Sequence, residues 1–173
     1  HKGEIDMLEE TYLNIISAKT ASLFSAATKV GSILTNKENK IKEALEFYGK
    51  NLGLTFQIAD DALDYNSELK FFGKEAGNDF YEGKITLPII LIYQKANQDE
   101  KKDLKQLFEK KERSENEFNH ILILIKKYNI INECYRKAEH FINLASNSLS
   151  VLKDSKEKEI LKNLTSFSLE RSF

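Results

Sequence analysis

Apolar side chains recur along this sequence at intervals of three and four residues, the spacing that places them on one side of an α-helix. No window shows the sustained apolar–polar alternation of a strand, and the 173 residues include only one proline and seven glycines. The pattern therefore predicts an all-α fold. The clearest stripes consist of Leu8, Tyr12, Ile15 and Ile16; of Ile41, Leu45, Tyr48, Leu52 and Phe56; and of Leu149, Leu152, Ile160, Leu161 and Leu164.

Short turns separate the predicted helices, with one exception between residues 66 and 84. This connection contains glycine-bearing turns at 71–74 and 77–79. Thr86 is predicted to cap the helix that follows, with Pro88 in its first turn. Because a connection of this length in a compact helical domain is more often functional than idle, we expect it to belong to a site. The predicted helices span residues 8–34, 37–66, 86–97, 100–111, 114–127, 130–152 and 155–170.

The composition excludes several kinds of protein. With 41% apolar and 31% charged residues, the chain is typical of a globular protein, and its length suits one domain over residues 1–173. A net charge of −1, without a basic half, gives no electrostatic surface for nucleic acid or for a polybasic membrane anchor. No apolar run approaches the ~18 residues of a transmembrane helix. The single cysteine, Cys134, excludes an internal disulfide and favours a cytoplasmic location.

Three aspartates stand at the end of the second apolar stripe. Asp60 and Asp64 are four residues apart and therefore share one helix face, with Asp61 beside them. Like charges repel at this spacing, and the helix dipole disfavours anions at a carboxyl-terminal end. A Mg²⁺ ion would cancel both penalties, because it prefers carboxylate oxygens and often bridges them to phosphates. A solvated acidic helix end is the alternative, and the motif alone does not decide between the two.

Lysines near the aspartates favour a phosphate ligand. Lys19 interrupts a helix face of small residues, and Lys74 and Lys84 flank the glycine-containing loop after the carboxylates. Ammonium groups serve well against phosphates, so the combination suggests a diphosphate held between metal and lysines. Each lysine alone is more typical of a protein surface than of a phosphate site, since the chain has 26 lysines and arginines.

Taken in order, these motifs resemble trans-polyprenyl diphosphate synthases, most closely the long-chain octaprenyl- or solanesyl-type enzymes. The resemblance covers essentially the whole chain and weakens after residue 98. It implies an isoprenoid-synthase-type helical bundle that forms a homodimer. An isolated DDxxD motif has little specificity, whereas the ordered set is specific. The set consists of Lys19-Thr20, Phe56-Gln57, Asp60-Asp61-Ala62-Leu63-Asp64, Gly73-Lys74, Gly77-Asn78-Asp79 and Gly83-Lys84-Ile85-Thr86-Leu87-Pro88.

The resemblance also implies a ligand set. Asp60, Asp61 and Asp64 would form the second of the family's two aspartate-rich motifs, with Asp60 as the principal Mg²⁺ ligand. Lys19 and Lys74 would contact the diphosphate of the allylic substrate.

Further residues would surround the reacting carbon. The resemblance implies that Thr20 and Gln57 lie where the allylic cation develops and that Phe56 lines the pocket wall. Lys84 would belong to a loop that closes over the site, and Arg171 would approach the diphosphate of isopentenyl diphosphate. The implied reaction is a Mg²⁺-dependent, head-to-tail condensation of isopentenyl diphosphate with an allylic diphosphate, as in the synthesis of quinone side chains.

One departure from the family pattern bears on activity. The first aspartate-rich motif, expected upstream of Lys19, is not found: Asp6 is the only aspartate in the first 59 residues. The sequence also opens at His1 rather than at a methionine. We therefore expect the carboxy-terminal half of a synthase, with an incomplete active site and no activity by itself.

Two other functions remain as alternatives. A terpene cyclase-like protein uses similar helices and Mg²⁺, but the Gly-Lys-x-Thr-Leu-Pro segment at 83–88 favours the elongating enzyme. A non-catalytic helical subunit that regulates an active synthase would have no need of the three aspartates. Coupling between Mg²⁺ and diphosphate binding would separate the two enzymes from the non-catalytic subunit and from a helical bundle used only for interaction.

Overall fold

The computed structural model describes residues 4–66 and 76–170, and of residues 169 and 170 only the backbone. These ranges contain helices and turns and no β-strand, so the all-α prediction is confirmed. The helices are α1 (Glu9–Ile16), α2 (Ser22–Leu34), α3 (Asn39–Leu63), α4 (Asn78–Tyr81), α5 (Leu87–Lys95), α6 (Gln98–Glu109), α7 (Glu115–Lys127), α8 (Ile130–Ser148) and α9 (Lys156–Glu170), with a π-helical turn at Ser17–Ala21 and a 3₁₀ turn at Leu149–Val151.

Several helical predictions differ from the structure in detail, and α3 and α8 end earlier than expected, at Leu63 and Ser148. The helix expected over 8–34 is interrupted by the π-helical turn, which separates α1 from α2 without a break in the helical path. The long connection contains the short helix α4, which the sequence did not predict. A four-residue helix is too short to produce a periodic pattern, so only tertiary contacts can specify it.

The chain divides into two compact units: His1–Tyr12 with Asp60–Cys134, and Leu13–Ala59 with Tyr135–Phe173. In the first unit, residues 87–92 of α5 are all apolar and buried, whereas Gln94 and Lys95 at its end are exposed. Thr86 occupies its N-cap position with an extended backbone, and Pro88 lies in the first turn, as predicted. The Thr86 side chain makes no capping hydrogen bond, so Thr86 begins the helix through its backbone conformation.

Capping boxes begin two other helices of the first unit. In α6, Asn97 Oδ1 accepts the backbone N–H of Glu100, and Glu100 Oε2 accepts the backbone N–H of Asn97. Ser114 and Glu117 repeat the arrangement at α7. Such caps satisfy backbone donors that have no partner within the helix, and each contributes about 1 kcal/mol.

In the second unit, α2 and the π-helical turn before it approach α3 closely at small residues. A Cβ added at Gly53 would lie 2.6 Å from the Cα of Ala21, so only glycine fits there. The Ser25 hydroxyl donates to the carbonyl of Glu46, and the Thr28 hydroxyl donates to the carbonyl of Leu45. The small-residue face of α2 therefore serves helix packing.

The core of the second unit joins α3 to α8. Tyr48 and Leu52 pack against Ile142, Ala145 and Leu149. The Tyr48 hydroxyl donates to the carbonyl of Leu161 at 2.7 Å, and burial raises the pKa of Tyr48 to about 12. Among the helices in the described ranges, none combines the length and the apolar character needed to cross a bilayer.

Candidate functional site

The aspartates lie at the carboxyl-terminal end of α3. Asp60 and Asp61 belong to its last turn, and the helix ends at Leu63, so Asp64 stands in the turn that follows. The Asp64 backbone N–H still donates to the carbonyl of Asp60, at 3.2 Å. Because carbonyl groups converge at this end of the helix, buried carboxylates here need donors from elsewhere.

Asp61 finds such a donor in Tyr12. Its carboxylate is 4% exposed, and Oδ2 accepts a hydrogen bond from the Tyr12 hydroxyl at 2.7 Å. Burial, and then the negative charge of Asp61, raises the pKa of Tyr12 well above its ordinary value. The phenol therefore remains protonated and holds the carboxylate in one orientation. Sequence reasoning placed Tyr12 only in an apolar stripe, and 49 residues separate the two, so no local spacing signalled the pair.

Asp64 has a different role in the structure. Its carboxylate accepts the backbone N–H groups of Asn78 at 3.2 Å and of Asp79 at 2.9 Å, while its carbonyl accepts the N–H of Gly77 at 2.8 Å. Burial raises the pKa of Asp64, although the hydrogen bond from the Asp79 backbone opposes this shift. Asp64 thus fixes the start of α4 and the return of the chain toward α5.

Gly77 makes this return possible. Its φ of +91° lies in the left-handed region, and an added Cβ would lie 2.7 Å from the ring of Phe118. Both the conformation and the space therefore require glycine at this position.

Lys84 is held by acidic side chains of its own segment. Its ammonium group lies 2.8 Å from Glu82 Oε2 and 3.0 Å from Asp79 Oδ1. Hydrogen bonds to Glu82 and then to Asp79 raise the pKa of Lys84. A phosphate group would compete with these carboxylates for the ammonium. Sequence reasoning did not identify Asp79 as a functional residue, because its turn motif gave no sign of the ion pair.

The described residues contain no group of three or more acidic, histidine or cysteine side chains arranged to hold a metal ion. The donor chemistry nevertheless fits Mg²⁺, which usually takes one or two carboxylates together with water and phosphate oxygens. Asp60 and Asp61 are neighbouring hard-oxygen donors at one helix end. These aspartates are therefore better suited to a metal ion that shares its coordination with a phosphate ligand than to a metal ion held by protein side chains alone.

A second group of predicted residues meets in the other unit. The Thr20 hydroxyl donates to Oε1 of Gln57 at 2.7 Å, across 37 residues of sequence. Thr20 and Lys19 both belong to the π-helical turn, a widened turn that is frequent at functional sites. Lys19 is exposed, and the ring of Phe56 packs against that of Phe24 with centroids 5.5 Å apart. Lys74 and Arg171 lie outside the described residues, so the structure places neither of them.

Comparison with known proteins gives one consistent family. The family model for polyprenyl synthetase matches residues 1–125. A geranylgeranyl diphosphate synthase from Sulfolobus acidocaldarius is 33% identical over 98% of this chain and 52% of its own length.

Two solved structures agree with this match. A decaprenyl diphosphate synthase from Rhodobacter capsulatus has a TM-score of 0.92 and 33% identity, covering 99% of this chain and 53% of that protein. A polyprenyl synthase from Caulobacter crescentus, solved in complex with calcium and isoprenyl diphosphate, has a TM-score of 0.92 and 34% identity, covering 99% of this chain and 52% of that protein.

The chain thus spans about half the length of the relatives it matches. Relatives of equal identity are named for geranylgeranyl and for decaprenyl products, so identity does not single out the octaprenyl or solanesyl class. The sequence match, the shared fold and the ordered motifs lead to the same conclusion: this chain belongs to the polyprenyl synthetase family.

Proposed function

We propose that this chain supplies part of the active site of a Mg²⁺-dependent prenyltransferase that joins isopentenyl diphosphate head-to-tail to an allylic diphosphate. Membership of the polyprenyl synthetase family supports the reaction class. The calcium and isoprenyl diphosphate in the C. crescentus relative support a divalent cation and a prenyl ligand. The observation that carries the proposal is the buried Asp61 carboxylate, which Tyr12 holds in one orientation beside Asp60 at the end of α3.

The residues proposed to hold Mg²⁺ are Asp60 and Asp61, with Asp64 acting directly or through water. When bound, the ion neutralises the leaving diphosphate and lowers the cost of breaking the allylic C–O bond. Tyr12 keeps Asp61 oriented, and Lys19 adds an ammonium group for the diphosphate.

The remaining proposed roles surround the allylic carbon and the second substrate. The oxygen dipoles of Thr20 and Gln57 stabilise positive charge on the allylic carbon. Phe56 lines the pocket wall, from which water is excluded because it would quench the cation. Lys74 and Lys84 bind a diphosphate group. Arg171 binds the diphosphate group of isopentenyl diphosphate.

The bond changes are simple to follow. The allylic C–O bond breaks and its electron pair leaves with the diphosphate. The double bond of isopentenyl diphosphate then forms a C–C bond to the allylic carbon, and loss of a proton restores the alkene.

We also propose that residues 1–173 are the carboxy-terminal half of such a synthase and that the chain is inactive alone. The motif order of the aspartates and of segment 83–88 supports this assignment, together with the half-length match to the relatives. The same resemblance supports a homodimer, and the single cysteine, Cys134, supports a cytoplasmic location.

The proposal can be tested on the chain itself by measuring whether Mg²⁺ strengthens the binding of an allylic diphosphate. Farnesyl diphosphate is titrated into the chain with Mg²⁺ and with EDTA, and the same titrations are repeated on Asp61→Asn. We expect Mg²⁺ to tighten binding by about tenfold or more, which corresponds to ~1.4 kcal/mol, and the variant to lose this gain. Binding that does not depend on Mg²⁺, in a folded chain, would favour the non-catalytic subunit instead.

A further inference from the structure

Arg113 lies in the connection between α6 and α7, outside every motif that the sequence analysis identified. It directly precedes Ser114, the N-cap of α7, and its side chain is only partly exposed. The guanidinium group packs against the ring of Phe108, with 5.2 Å between its central carbon and the ring centroid. Its Nη2 donates to the carbonyl of Phe108 at 3.0 Å. The side chain is therefore anchored to the last turn of α6.

The same guanidinium group contacts the segment that leads to Lys84. Its Nη1 donates to the carbonyl of Tyr81, the last residue of α4, at 3.4 Å. Gly83 has a φ of +70°, and a Cβ added there would lie 2.6 Å from Nη2 of Arg113. Glycine at this position therefore allows both the turn of the backbone and the close approach of the guanidinium group.

The turn that Arg113 contacts determines the position of Lys84. The backbone N–H of Lys84 donates to the carbonyl of Asp79 at 2.9 Å, and that of Gly83 donates to the carbonyl of Phe80 at 2.9 Å. Asp79 in turn donates its own backbone N–H to the carboxylate of Asp64. The turn is thus connected to the aspartates at the end of α3, and it sets where the Lys84 side chain begins relative to them.

The chemistry of arginine suits a link between two segments. Burial lowers the pKa of Arg113, since a charged group that leaves water needs other partners. A guanidinium group presents several donors in a rigid, planar fork. At Arg113 this fork joins a carbonyl of α6 to a carbonyl of α4, two elements that are distant in sequence. A lysine could not make both bonds with a fixed geometry.

We propose that Arg113 is a positioning residue for Lys84. It holds the turn at 81–83 so that the Lys84 ammonium group is already in place when a diphosphate group binds. A group that is ordered in advance loses less conformational freedom on binding, which strengthens the complex. Arg113 acts through the backbone of the turn and not by contact with the substrate. The proposal rests on the diphosphate-binding role proposed above for Lys84.

Amide hydrogen exchange tests the positioning without any ligand. Arg113→Met keeps a long side chain and removes the donors, so the Lys84 amide should exchange about tenfold or more faster. The amide of Glu100, in the capping box of α6, should exchange as before. Arg113→Lys keeps the charge and can reach one carbonyl, so it should speed the exchange of Lys84 by about threefold. This second variant provides the test if Arg113→Met does not fold.

A double-mutant cycle connects the position of Lys84 to the ligand. Farnesyl diphosphate is titrated with Mg²⁺ into the unaltered chain, Arg113→Met, Lys84→Met and the double variant. We expect Arg113→Met to weaken binding by about fivefold or more when Lys84 is present, and by no more than about twofold when methionine replaces it. A residue that only stabilises the fold would weaken binding equally in both backgrounds.

The matched control is Lys110→Met. Lys110 lies in the same connection between α6 and α7, but its ammonium group pairs with Glu117 at 2.5 Å. This variant removes the same charge from the same connection and leaves the turn at 81–83 in contact with Arg113. It should therefore change neither the exchange of Lys84 nor the binding of farnesyl diphosphate.

Two results would overturn the proposal. One is unchanged exchange of the Lys84 amide in a folded Arg113 variant. The other is an equal effect of Arg113→Met with and without Lys84. If the unaltered chain shows no Mg²⁺-dependent binding, the proposed function fails instead, and the exchange measurement still decides whether Arg113 holds the turn.

Discussion

At the scale of single residues, the orientation of Asp61 depends on one hydroxyl group. Tyr12→Phe removes this donor and retains the ring. We expect the free energy of unfolding to fall by about 1.5–3 kcal/mol, as for hydrogen bonds to charged groups, and Mg²⁺-dependent binding of farnesyl diphosphate to weaken. Urea unfolding and titration calorimetry measure the two effects.

Tyr48→Phe is the matched control for this prediction. The Tyr48 hydroxyl also donates at 2.7 Å, but to the backbone carbonyl of Leu161. This variant should lose about 1 kcal/mol of stability and keep its Mg²⁺-dependent binding. Equal loss of binding in both variants would mean that Tyr12 acts on stability alone.

The residues of the candidate site differ in how far the sequence could predict them. The aspartates follow from a local i, i+4 spacing at the end of an apolar helix, which the sequence displays directly. The Tyr12–Asp61 bond and the Lys84–Asp79 pair depend on tertiary packing and on rotamers, which local spacing does not encode. The family resemblance predicted that Thr20 and Gln57 both lie near the allylic carbon. It did not predict the hydrogen bond between them.

At the scale of helices, the close approach of α3 to the π-helical turn before α2 depends on Gly53. In Gly53→Ala, the added methyl group would meet the Cα of Ala21 at 2.6 Å, and backbone cannot give way as a flexible side chain can. We expect a loss of about 1–3 kcal/mol, measured by urea unfolding.

Gly31→Ala is the control for this substitution. Gly31 also lies within a helix, and an added Cβ there would have no heavy atom within 4 Å. Alanine should therefore stabilise the isolated chain by about 0.5–1 kcal/mol through its higher helix propensity. Destabilisation of similar size at both positions would show that the contact between Gly53 and Ala21 does not require glycine.

The first turn of α6 gives the chain a pH-dependent contribution to stability. Hydrogen bonds from Lys127, Tyr128 and the Asn97 backbone lower the pKa of Glu100 from 4.5 to about 2. Because the pKa is lower in the folded state, the contribution is present above pH 4.5 and is lost as the pH falls toward 2.

Glu100→Gln tests this contribution, since glutamine does not titrate. The stability difference between the unaltered chain and the variant should shrink as the pH is lowered from 6 through 4.5 toward 3. Chemical unfolding at each pH measures it. A difference that stays constant with pH would contradict the assignment.

The helices themselves could be predicted because a 3.6-residue period is local information. The predicted segment 114–127 became α7 (Glu115–Lys127) almost without change. The π-helical turn at Ser17–Ala21 and the early end of α3 at Leu63 were not predictable in this way. The end of α3 depends on contacts with residues 77–79, which are far along the chain.

At the scale of the whole molecule, the chain matches about half of each relative, while the proposed reaction needs a complete site. The first aspartate-rich motif implied by the resemblance has no counterpart among these 173 residues. We therefore expect metal-coupled diphosphate binding by the chain alone, and turnover only when the rest of the fold is present.

The most direct measurement is elongation by a chimaera in which this chain replaces the matching part of the R. capsulatus synthase. Labelled isopentenyl diphosphate and farnesyl diphosphate are supplied with Mg²⁺ or with EDTA, and Asp60→Asn in the chimaera is the negative control. If Asp60 holds the metal ion, chain growth should depend on Mg²⁺ and Asp60→Asn should reduce it by about 100-fold or more, with helical content unchanged. A folded chimaera without chain growth, or one whose turnover is unaffected by Asp60→Asn, would contradict it.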